Sequence, residues 1–402
     1  MSVFNFAELE NIFPVPAHAK DLLSKPEKQI ILNISVWLDN KTLLSCEGYI
    51  VYHNTARGPA KGGLRISPGV TLEETIDLAE RMTLKTALTG IPFGGGKSGI
   101  CVKDNVLSPY DKTNLVKEYV HLIRNELTSG IYIPAPDMNT GPKEMAVIYG
   151  ELHIPECVTG KPIGIGGLPG RKEATGYGVA VSVAYSYNKY FKKDLNGVAV
   201  AVQGFGNVGS WTAHFLKEKG ARIIGISDIS GGVYNKKGLD MDKLCEHMKE
   251  KDSKLCNFSG GDKITNEELI GLDVEIFVPA ALENVITKDT APSIKAKLIV
   301  EGANGPTTPE ADSILEDRGI IVVPDFLANS GGVIGSYMEW KSSKSGSITP
   351  VSEVYRTISD IITGTFEKIF SLGSAKKVSN RKAAMALAVQ ELIETMKDRG
   401  WI

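Results

Sequence analysis

A glycine-rich turn between an aliphatic strand and an amphipathic helix constrains the fold of this chain more than any other feature. The β-branched segment GVAVAVQ at 197–203 is followed directly by G-F-G-N-V-G at 204–209. WTAHFLKEKG at 211–220 then has apolar residues at helical spacing and a glycine where a C-terminal cap belongs. The order strand, glycine turn, helix predicts the first unit of a doubly wound α/β domain.

Four further aliphatic segments continue this pattern. They are ARIIGISD at 221–228, VEIFVPA at 274–280, KLIVEGA at 297–303 and GIIVVPD at 319–325, with the helical segment DSILEDRG between the last two. Strands that are apolar throughout, rather than alternating, indicate a parallel sheet covered by helices on both faces. The predicted fold class is therefore α/β, with a doubly wound Rossmann-type dinucleotide-binding domain in this region.

The three glycines of the turn each have a distinct task in such a domain. Gly204 permits the tight turn, Gly206 lets the backbone approach a pyrophosphate, and Gly209 allows close packing of helix against strand. Asp228 ends the next strand 24 residues after Gly204, where a carboxylate accepts hydrogen bonds from the adenosine ribose. The predicted cofactor-binding residues here are Gly204, Gly206, Asn207, Val208, Gly209 and Asp228. The alternative is a glycine-rich turn that holds no ligand.

The choice between NAD and NADP stays open in the sequence. The carboxylate of Asp228 repels a 2′-phosphate, which slightly favours NAD. Lys236 and Lys237 follow within a few residues, and a lysine can compensate the charge of a 2′-phosphate. The predicted cofactor is NAD or NADP, with NAD slightly favoured.

Length, charge and cysteine usage exclude several classes of function. The chain has 402 residues, so two or more domains are expected. A net charge of −2 gives no global field for nucleic acid or anionic lipid. Its five scattered cysteines include no CxxC spacing, so we expect free thiols and no metal site. The N-terminus lacks a secretory signal and the aliphatic runs are of strand length, which predicts a cytoplasmic protein without a membrane span.

Several charged residues upstream of the glycine turn lie in or beside glycine-rich segments. Lys61 lies in GPAKGGLR, Lys97 in PFGGGKSG, and Asp137 in IPAPDMNTGP. Lysines beside backbone that can approach closely suit a dianionic substrate, since they bind carboxylates as point charges. A further lysine can move protons if burial or neighbouring cations depress its pKa. The structural alternative is that these are separate surface charges and ordinary loop glycines.

The helix that carries another of these lysines has a recognisable start. Thr71 and Glu74 form a capping-box pattern before a periodic run. Leu78, Met82 and Lys85 then fall on one stripe of the helix. Lys85 therefore either extends outward to solvent or reaches into a cleft.

Taken together, the motifs resemble those of the glutamate dehydrogenase family, within the wider glutamate/leucine/phenylalanine/valine dehydrogenase superfamily. The segments are ARGPAKGGLR, MTLKTALTGIPFGGGKSG, PAPDMNT, GRKEATGYG, QGFGNVG, VEGANGPTTPEAD and DFLANSGGVIGSYMEW, in the family's order over about residues 45–400. The resemblance implies an NAD(P)-dependent enzyme that interconverts L-glutamate with 2-oxoglutarate and ammonia. It also implies a homo-hexamer that acts on small molecules, with no nucleic-acid or membrane partner.

Carried over position by position, the resemblance implies a role for each matching residue. Lys97 resembles the catalytic lysine that activates water, and Asp137 resembles the acid/base that moves a proton to or from the amino nitrogen. Lys85 matches the lysine that binds the substrate α-carboxylate. Lys61 matches the lysine that binds the side-chain carboxylate, and Ser336 matches the serine that assists it. The matches near the nicotinamide and its ribose are Thr175 and Asn304.

Three alternative functions fit the sequence less well. Leucine, valine and phenylalanine dehydrogenases carry an apolar residue at the Lys61 position, and a lysine facing an apolar substrate is a buried charge without a partner. A non-catalytic nucleotide-binding homologue has no need of Lys97 and Asp137. A 2-hydroxy-acid dehydrogenase needs a histidine–carboxylate pair, which none of the six histidines suggests. Glutamate is therefore the favoured substrate.

The same comparison predicts the domain limits. Residues 1–170 form a substrate-binding, catalytic and oligomerisation domain, and residues 171–345 form the dinucleotide-binding domain. Residues 346–402 form C-terminal helices that fold back toward the first domain. KSSKSGS at 341–347 is compositionally biased and is predicted to be an exposed loop.

Overall fold

The structure is a computed structural model that describes residues 4–102 and 107–402. It separates into two compact units. The first unit comprises the described part of Met1–Arg171 together with Val333–Val354 and Met385–Ile402, and the second comprises Lys172–Gly332 and Tyr355–Ala384. The predicted two-domain α/β fold class is confirmed. Within the described ranges, no helix is long and apolar enough to cross a membrane.

Strands and helices alternate along most of the chain. The strands are β1 (Lys28–Trp37), β2 (Leu43–Asn54), β3 (Ala60–Ile66), β4 (Gly94–Ile100), β5 (Tyr132–Pro136), β6 (Ala199–Gln203), β7 (Arg222–Asp228), β8 (Gly231–Tyr234), β9 (Asp262–Ile264), β10 (Ile276–Pro279), β11 (Leu298–Val300) and β12 (Ile321–Val323). The α-helices are α1 (Phe6–Leu9), α2 (Ala17–Leu23), α3 (Leu72–Leu88), α4 (Pro109–Leu122), α5 (Arg124–Thr128), α6 (Pro142–Leu152), α7 (Ala174–Phe191), α8 (Asn207–Glu218), α9 (Met241–His247), α10 (Asn266–Ile270), α11 (Pro309–Asp317), α12 (Asp325–Ala328), α13 (Gly331–Ser345), α14 (Val351–Lys376) and α15 (Asn380–Asp398).

The first unit is built on a five-stranded mixed sheet in the order β1-β2-β4-β3-β5. Strand β3 lies parallel to both β4 and β5, while β2 pairs antiparallel with β1 and β4. One face of the sheet is apolar, because Leu64, Ile100 and Tyr132 pack there with Leu115 of α4 and Met145 of α6. The hydrophobic core of the first unit therefore lies on this face.

Helix α3 covers the opposite face of the sheet and approaches it unusually closely. A Cβ atom on Gly95 would lie 2.0 Å from the Thr83 hydroxyl oxygen and 2.5 Å from the Ala79 carbonyl oxygen. Any side chain larger than hydrogen would push α3 away from β4. The glycines of β4 thus allow the backbone of α3 to pack directly against the backbone of the strand.

The start of α3 contains one of the two hydrogen bonds of the predicted capping box. The Thr71 hydroxyl accepts a hydrogen bond from the Glu74 backbone N–H at 3.1 Å, so the predicted N-cap is confirmed. The Glu74 carboxylate does not complete the box; it forms an ion pair with Arg65 of β3 instead. A full cationic partner on the neighbouring strand outcompetes the backbone N–H for this carboxylate.

The second unit contains a seven-stranded sheet in the order β12-β11-β10-β6-β7-β8-β9. Strands β12, β11, β10, β6 and β7 are parallel, which confirms the parallel sheet predicted from the aliphatic runs. Strands β8 and β9 extend one edge antiparallel. The chain leaves β6 toward β7 on one side and later returns to β10 on the other, so a topological switch point lies between β6 and β10.

Helices cover both faces of this parallel sheet. Ala201 and Phe277 pack with Leu269 of α10 and Leu315 of α11 on one face. On the other face α8 packs against β6, where a Cβ on Gly209 would lie 3.4 Å from Val202 Cγ1. The strands are therefore buried on both sides, as their uniformly apolar sequences require.

The segment KSSKSGS differs from its sequence-based prediction. Its first five residues continue α13 through Ser345, and the chain leaves the helix at Gly346, where φ is +65°. The Lys344 ammonium lies 4.6 Å from the centroid of the Trp340 ring. The prediction of an exposed loop over 341–347 was wrong for 341–345, because a lysine–tryptophan contact at i, i+4 supports the helix there.

The C-terminal segments divide between the two units. The Arg399 guanidinium, just beyond α15, donates to the carbonyl oxygens of Thr55 at 2.8 Å and Ala56 at 3.0 Å, so the chain end packs on the first unit. Residues 355–384, which include most of α14, pack within the second unit. The domain limits drawn from the sequence stay a prediction.

Candidate active site

Three strands of the first unit place charged residues on one face of the sheet. Side chains alternate along a strand, so Lys61 and Arg65 of β3 share a face. Strand register pairs Lys61 with Gly95, two residues before Lys97, and places Asp137 directly after β5 beside Arg65. A Cβ on Gly63 would lie 2.7 Å from the Asp137 Cβ. The absence of a side chain between Lys61 and Arg65 is thus what admits Asp137.

Asp137 lies between two cations that use different oxygens. Its Oδ1 accepts hydrogen bonds from Arg65 Nε at 2.8 Å and from the Met138 backbone N–H at 2.8 Å. Its Oδ2 forms an ion pair with the Lys97 ammonium. Arg65 is itself held by Glu74 of α3. Oδ1 is therefore fixed by two donors, and Oδ2 faces the amine.

The two members of this pair have altered protonation equilibria. Burial alone raises the pKa of the Asp137 carboxyl, but the contacts with Lys97 and Arg65 outweigh burial and hold that pKa below its usual range. Burial lowers the pKa of Lys97, and Asp137 does not fully offset this effect. The pair thus consists of an ionised carboxylate and an amine that loses its proton more readily than an exposed lysine.

Lys61 is a buried lysine with an unused ammonium. Its residue is 1% exposed, and its side chain makes no hydrogen bond to any residue in the described ranges. Burial lowers the pKa of Lys61 well below its usual range, the Arg171 guanidinium lowers it further, and the Glu339 carboxylate opposes both. An unsatisfied buried cation is unfavourable unless an anionic ligand joins it.

Ser336 lies on α13 beside a second cation, the half-buried Arg171. The Arg171 Nε donates a hydrogen bond to the Ser336 hydroxyl oxygen at 3.2 Å. Ser336 is buried, and burial lowers the pKa of Arg171 although Glu339 opposes this. Lys61, Arg171 and Ser336 together form a pocket of donors, which we call the distal pocket.

Lys85 lies in the last turn of α3, the helix packed against the strand that carries Lys97. Its residue is 9% exposed. The sequence left open whether this side chain extends to solvent or is enclosed, and the structure shows that it is enclosed.

Sequence reasoning missed four charged residues of this region, namely Arg65, Arg171, Lys161 and Glu339. One signal was available for Arg65, because it lies four residues after Lys61 in a strand and must share its face. Arg171 stands in a motif without periodicity. Lys161 and Glu339 are 178 residues apart, and single-sequence patterns do not connect residues at that separation.

The glycine turn of the second unit has the geometry of a phosphate cradle. Gly204 has φ of +102°, and a Cβ there would lie 2.7 Å from the Ala280 carbonyl oxygen, next to the switch point. A Cβ on Gly209 would lie 1.8 Å from the Gly204 carbonyl oxygen. At Gly206, by contrast, no described atom lies within 4 Å of such a Cβ, so the backbone is open there. The residues present fit a dinucleotide pyrophosphate on the N-terminus of α8.

The remaining residues predicted to bind the cofactor also lie in the second unit. Asn207 and Val208 start α8, and the Asn207 side chain donates to the Lys172 carbonyl oxygen at 3.0 Å. Thr175 lies in the first turn of α7. The Asn304 side-chain oxygen accepts a hydrogen bond from Asn329 at 2.9 Å.

Asp228 ends β7, and one of its two carboxylate oxygens is hydrogen-bonded within the turn that follows. Its Oδ1 accepts hydrogen bonds from the Ser230 backbone N–H at 2.7 Å and the Ser230 hydroxyl at 2.6 Å. Its Oδ2 has no hydrogen-bond partner among residues 4–102 and 107–402. One carboxylate oxygen is therefore available to a ligand at the carboxyl end of the strand.

Comparison with known proteins assigns both units to one family. Residues 166–400 match the family described as Glutamate/Leucine/Phenylalanine/Valine dehydrogenase, and residues 26–153 match its dimerisation domain. An NADP-specific glutamate dehydrogenase from Saccharolobus shibatae is 46% identical over 94% of this chain and 91% of its own. A glutamate dehydrogenase from Thermotoga maritima is 40% identical over 100% of this chain and 97% of its own.

A solved structure has the same fold over nearly its whole length. The hetero-hexameric glutamate dehydrogenase from Thermus thermophilus, in a leucine-bound form, aligns with a TM-score of 0.92 and 32% identity. The alignment covers 98% of this chain and 96% of that one.

The paired carboxylate of Asp137 predicts a pH-dependent contribution to stability. We expect Asp137→Asn to lower the free energy of unfolding at pH 7 by about 3 kcal/mol, because it leaves Lys97 and Arg65 without their shared anion. The folded pKa of Asp137 lies below its unfolded value of about 3.9, so the contribution is fully present above that value and is lost as the pH falls through the folded pKa.

Urea unfolding of wild type and variant at neutral and acidic pH measures this difference. Asp21→Asn is the matched control, because its ion pair with Lys25 is solvent-exposed and stabilises the chain little. A difference between wild type and Asp137→Asn that stays constant as the pH is lowered to about 2 would contradict the assigned pair.

Proposed function

The chain belongs to the Glutamate/Leucine/Phenylalanine/Valine dehydrogenase family and catalyses the NAD(P)-dependent oxidative deamination of glutamate, and we propose that Lys97 and Asp137 are the catalytic pair of this reaction. The observation that carries the proposal is the ion pair of Lys97 with Oδ2 of Asp137, beside the unused ammonium of Lys61. It combines a proton-transfer pair with a buried lysine ammonium on one face of a sheet.

Substrate binding uses the buried and half-buried cations of the first unit. The distal pocket binds the side-chain carboxylate of glutamate through the Lys61 ammonium, the Arg171 guanidinium and the Ser336 hydroxyl. Lys85 binds the α-carboxylate as a point charge. The two carboxylates fix both ends of the substrate and so orient its Cα–H bond.

Asp137 acts first, as a base. Its carboxylate is ionised, and we assign to Oδ2 the proton of the substrate ammonium while Arg65 holds Oδ1 in place. When bound, a nicotinamide would supply the acceptor for the hydride of Cα. Loss of the hydride from the neutral amine leaves 2-iminoglutarate.

Lys97 then acts on water. Because burial lowers its pKa, a fraction of Lys97 is neutral and removes a proton from a water molecule that adds to the imine carbon. Asp137 returns its proton to the nitrogen of the resulting carbinolamine, the C–N bond breaks, and the departing ammonia takes the proton of the carbinolamine hydroxyl, so that ammonium and the oxo group are formed. Lys97 returns to its starting state by releasing the proton, so that glutamate, water and the oxidised cofactor give 2-oxoglutarate, ammonium, the reduced cofactor and one proton.

The second unit supplies the groups that hold the dinucleotide. Gly204, Gly206 and Gly209 present backbone to the pyrophosphate, and Asn207 and Val208 contribute their amides at the start of α8. Thr175 and Asn304 contact the nicotinamide and its ribose, and Asp228 accepts hydrogen bonds from the adenosine ribose.

Lys61 predicts the preference for a substrate with a distal carboxylate. We expect Lys61→Leu to lower kcat/KM for 2-oxoglutarate by about a hundredfold, because a charge-assisted contact to the distal carboxylate is lost. The same variant turns over 4-methyl-2-oxopentanoate, which has an apolar tail, at least as well as wild type. Reductive amination with both oxo acids measures the ratio.

Lys143→Leu is the matched control, since it changes an exposed lysine of α6 in the same unit. We expect it to leave the ratio of the two substrates unchanged. Equal use of 2-oxoglutarate by wild type and Lys61→Leu would favour one of the branched-chain or aromatic activities of the family.

Asp228 favours NAD, although the relative from Saccharolobus shibatae is NADP-specific. The free Oδ2 of Asp228 binds the ribose hydroxyls of NAD and repels the 2′-phosphate of NADP. We expect kcat/KM to be higher with NADH than with NADPH, and Asp228→Ser to raise the use of NADPH relative to NADH by about tenfold.

Initial rates with both reduced cofactors measure this preference. Asp273→Ser is the control, because Asp273 is an exposed carboxylate just before β10, at the opposite end of the strands from Asp228. A wild-type preference for NADPH that Asp228→Ser leaves unchanged would show that another residue reads the 2′ position.

The assembly of this chain stays a prediction. The match to a dimerisation domain over residues 26–153 and the hexameric state of the Thermus thermophilus relative support a homo-hexamer. The cytoplasmic location also stays a prediction.

A further inference from the structure

A carboxylate of the first unit is completely enclosed and has three donors. Glu339 lies on α13 with a side-chain exposure of 0%. Its Oε2 accepts the Gly160 backbone N–H at 2.9 Å. Its Oε1 accepts the Lys161 backbone N–H at 3.1 Å and the Lys161 ammonium at 2.9 Å. A buried charge with this many donors is held in one orientation.

The partner of this carboxylate is equally satisfied. The Lys161 ammonium, also 0% exposed, donates to the Val158 carbonyl oxygen at 2.9 Å and lies 3.3 Å from the Ser343 hydroxyl oxygen, in addition to Glu339. Three acceptors match its three protons. The Lys161–Glu339 pair therefore joins α13 to the segment 158–161 through hydrogen bonds to both carboxylate oxygens and from all three ammonium protons.

The segments on both sides of this ion pair lie next to residues of the proposed active site. Glu339 is one helical turn from Ser336, since the two are three residues apart on α13. On the other side, a Cβ on Gly160 would lie 2.3 Å from the Pro136 ring, so Gly160 packs directly against the residue before Asp137. The pair thus connects the serine of the distal pocket with the strand end that carries the proton-transfer carboxylate.

The pair also sets the charge around Lys61. Cationic neighbours of Lys61 are Arg171, Lys161 and Lys97, which lowers the tendency of its ammonium to keep a proton. Glu339 acts in the opposite direction on both Lys61 and Arg171. The distal pocket is therefore a cluster of cations with a buried carboxylate beside it.

We propose that Glu339, held by Lys161, is a positioning residue for recognition of the substrate side-chain carboxylate. It fixes Ser336 relative to the end of β5, and its negative charge favours the charged form of Lys61 before the substrate arrives. Without that charge, Lys61 loses its proton more readily and the pocket binds the distal carboxylate less tightly. This inference rests on the proposed role of the distal pocket.

The test removes the charge with the least change of shape. For Glu339→Gln we expect the ratio of its KM for 2-oxoglutarate to that of wild type to be about tenfold larger at about pH 9 than at about pH 7. The reason is that a decrease of one unit in the pKa of Lys61 lowers the ratio of its charged to its neutral form tenfold. We expect kcat to change less than KM. The KM for 2-oxovalerate, which has no distal carboxylate, should show no added pH dependence in the variant.

Two further variants separate charge from packing. Lys161→Met removes a cation beside Lys61 and keeps both backbone donors of Glu339, so its KM for 2-oxoglutarate should rise less with pH than that of wild type. The double variant Lys161→Met/Glu339→Gln removes one charge of each sign, so its pH profile should return toward that of wild type. If Glu339→Gln alone does not fold, the contrast between Lys161→Met and the double variant still measures the effect of the carboxylate charge.

A purely structural role gives a different pattern. In that case all three variants lower the melting temperature and raise KM for both oxo acids equally at every pH, which would overturn the inference. Wild type that fails to prefer 2-oxoglutarate over 2-oxovalerate would instead overturn the proposed distal pocket itself. Preference in wild type with an unchanged pH profile in Glu339→Gln would refute the role of Glu339 alone.

Discussion

The ion pair between Lys97 and Asp137 depends on how closely neighbouring backbone segments of the first unit approach one another. Gly95 admits α3 to the face of β4, and Gly63 leaves the space that Asp137 fills beside β3. A side chain at position 63 would occupy the space of the Asp137 side chain, since its Cβ would lie 2.7 Å from the Asp137 Cβ. Backbone packing is therefore the origin of the charge pair. Burial then lowers the pKa of Lys97, whereas the contacts with Lys97 and Arg65 lower the pKa of Asp137 against the effect of burial.

Buried carboxylates organise loops in both units. In the second unit Glu301, which follows β11, accepts the Asp325 backbone N–H at 2.9 Å and forms an ion pair with Arg381 of α15 at 2.7 Å. Asp325 in turn accepts the Gly305 backbone N–H at 2.9 Å, next to Asn304. In the first unit Glu339 holds Gly160 behind Asp137 in the same manner. Each network positions a loop that carries a proposed site residue, through hydrogen bonds from backbone donors.

Much of the fold could be predicted because its signals are local. The aliphatic strands, the glycine turn and the N-cap at Thr71 each follow from a few adjacent residues, and the structure contains all of them. The end of α13 could not be predicted from composition, because the contact of Lys344 with the Trp340 ring outweighs a polar, serine-rich sequence. Glu74 likewise fits a capping box, yet Arg65 of another element takes its carboxylate.

The residues of the candidate site likewise divide into those with a local sequence signal and those without one. Lys61, Lys97 and Asp137 stand in glycine- or proline-rich segments that mark close backbone approach, so the sequence indicated them. Arg171 and Glu339 act only through contacts with distant segments, and a single sequence holds no record of such contacts. The sequence thus indicated Lys61 and Ser336 of the distal pocket, and only the structure added Arg171.

Reductive amination of 2-oxoglutarate by purified wild type and Lys97→Ala, with ammonium and each reduced cofactor, tests the central claim most directly. The proposed mechanism predicts turnover by wild type and a loss of about a hundredfold or more in kcat for the variant, because the base that activates water is gone. Equal activity in the two proteins, or equal inertness, would contradict the assignment of Lys97 and Asp137 as the catalytic pair.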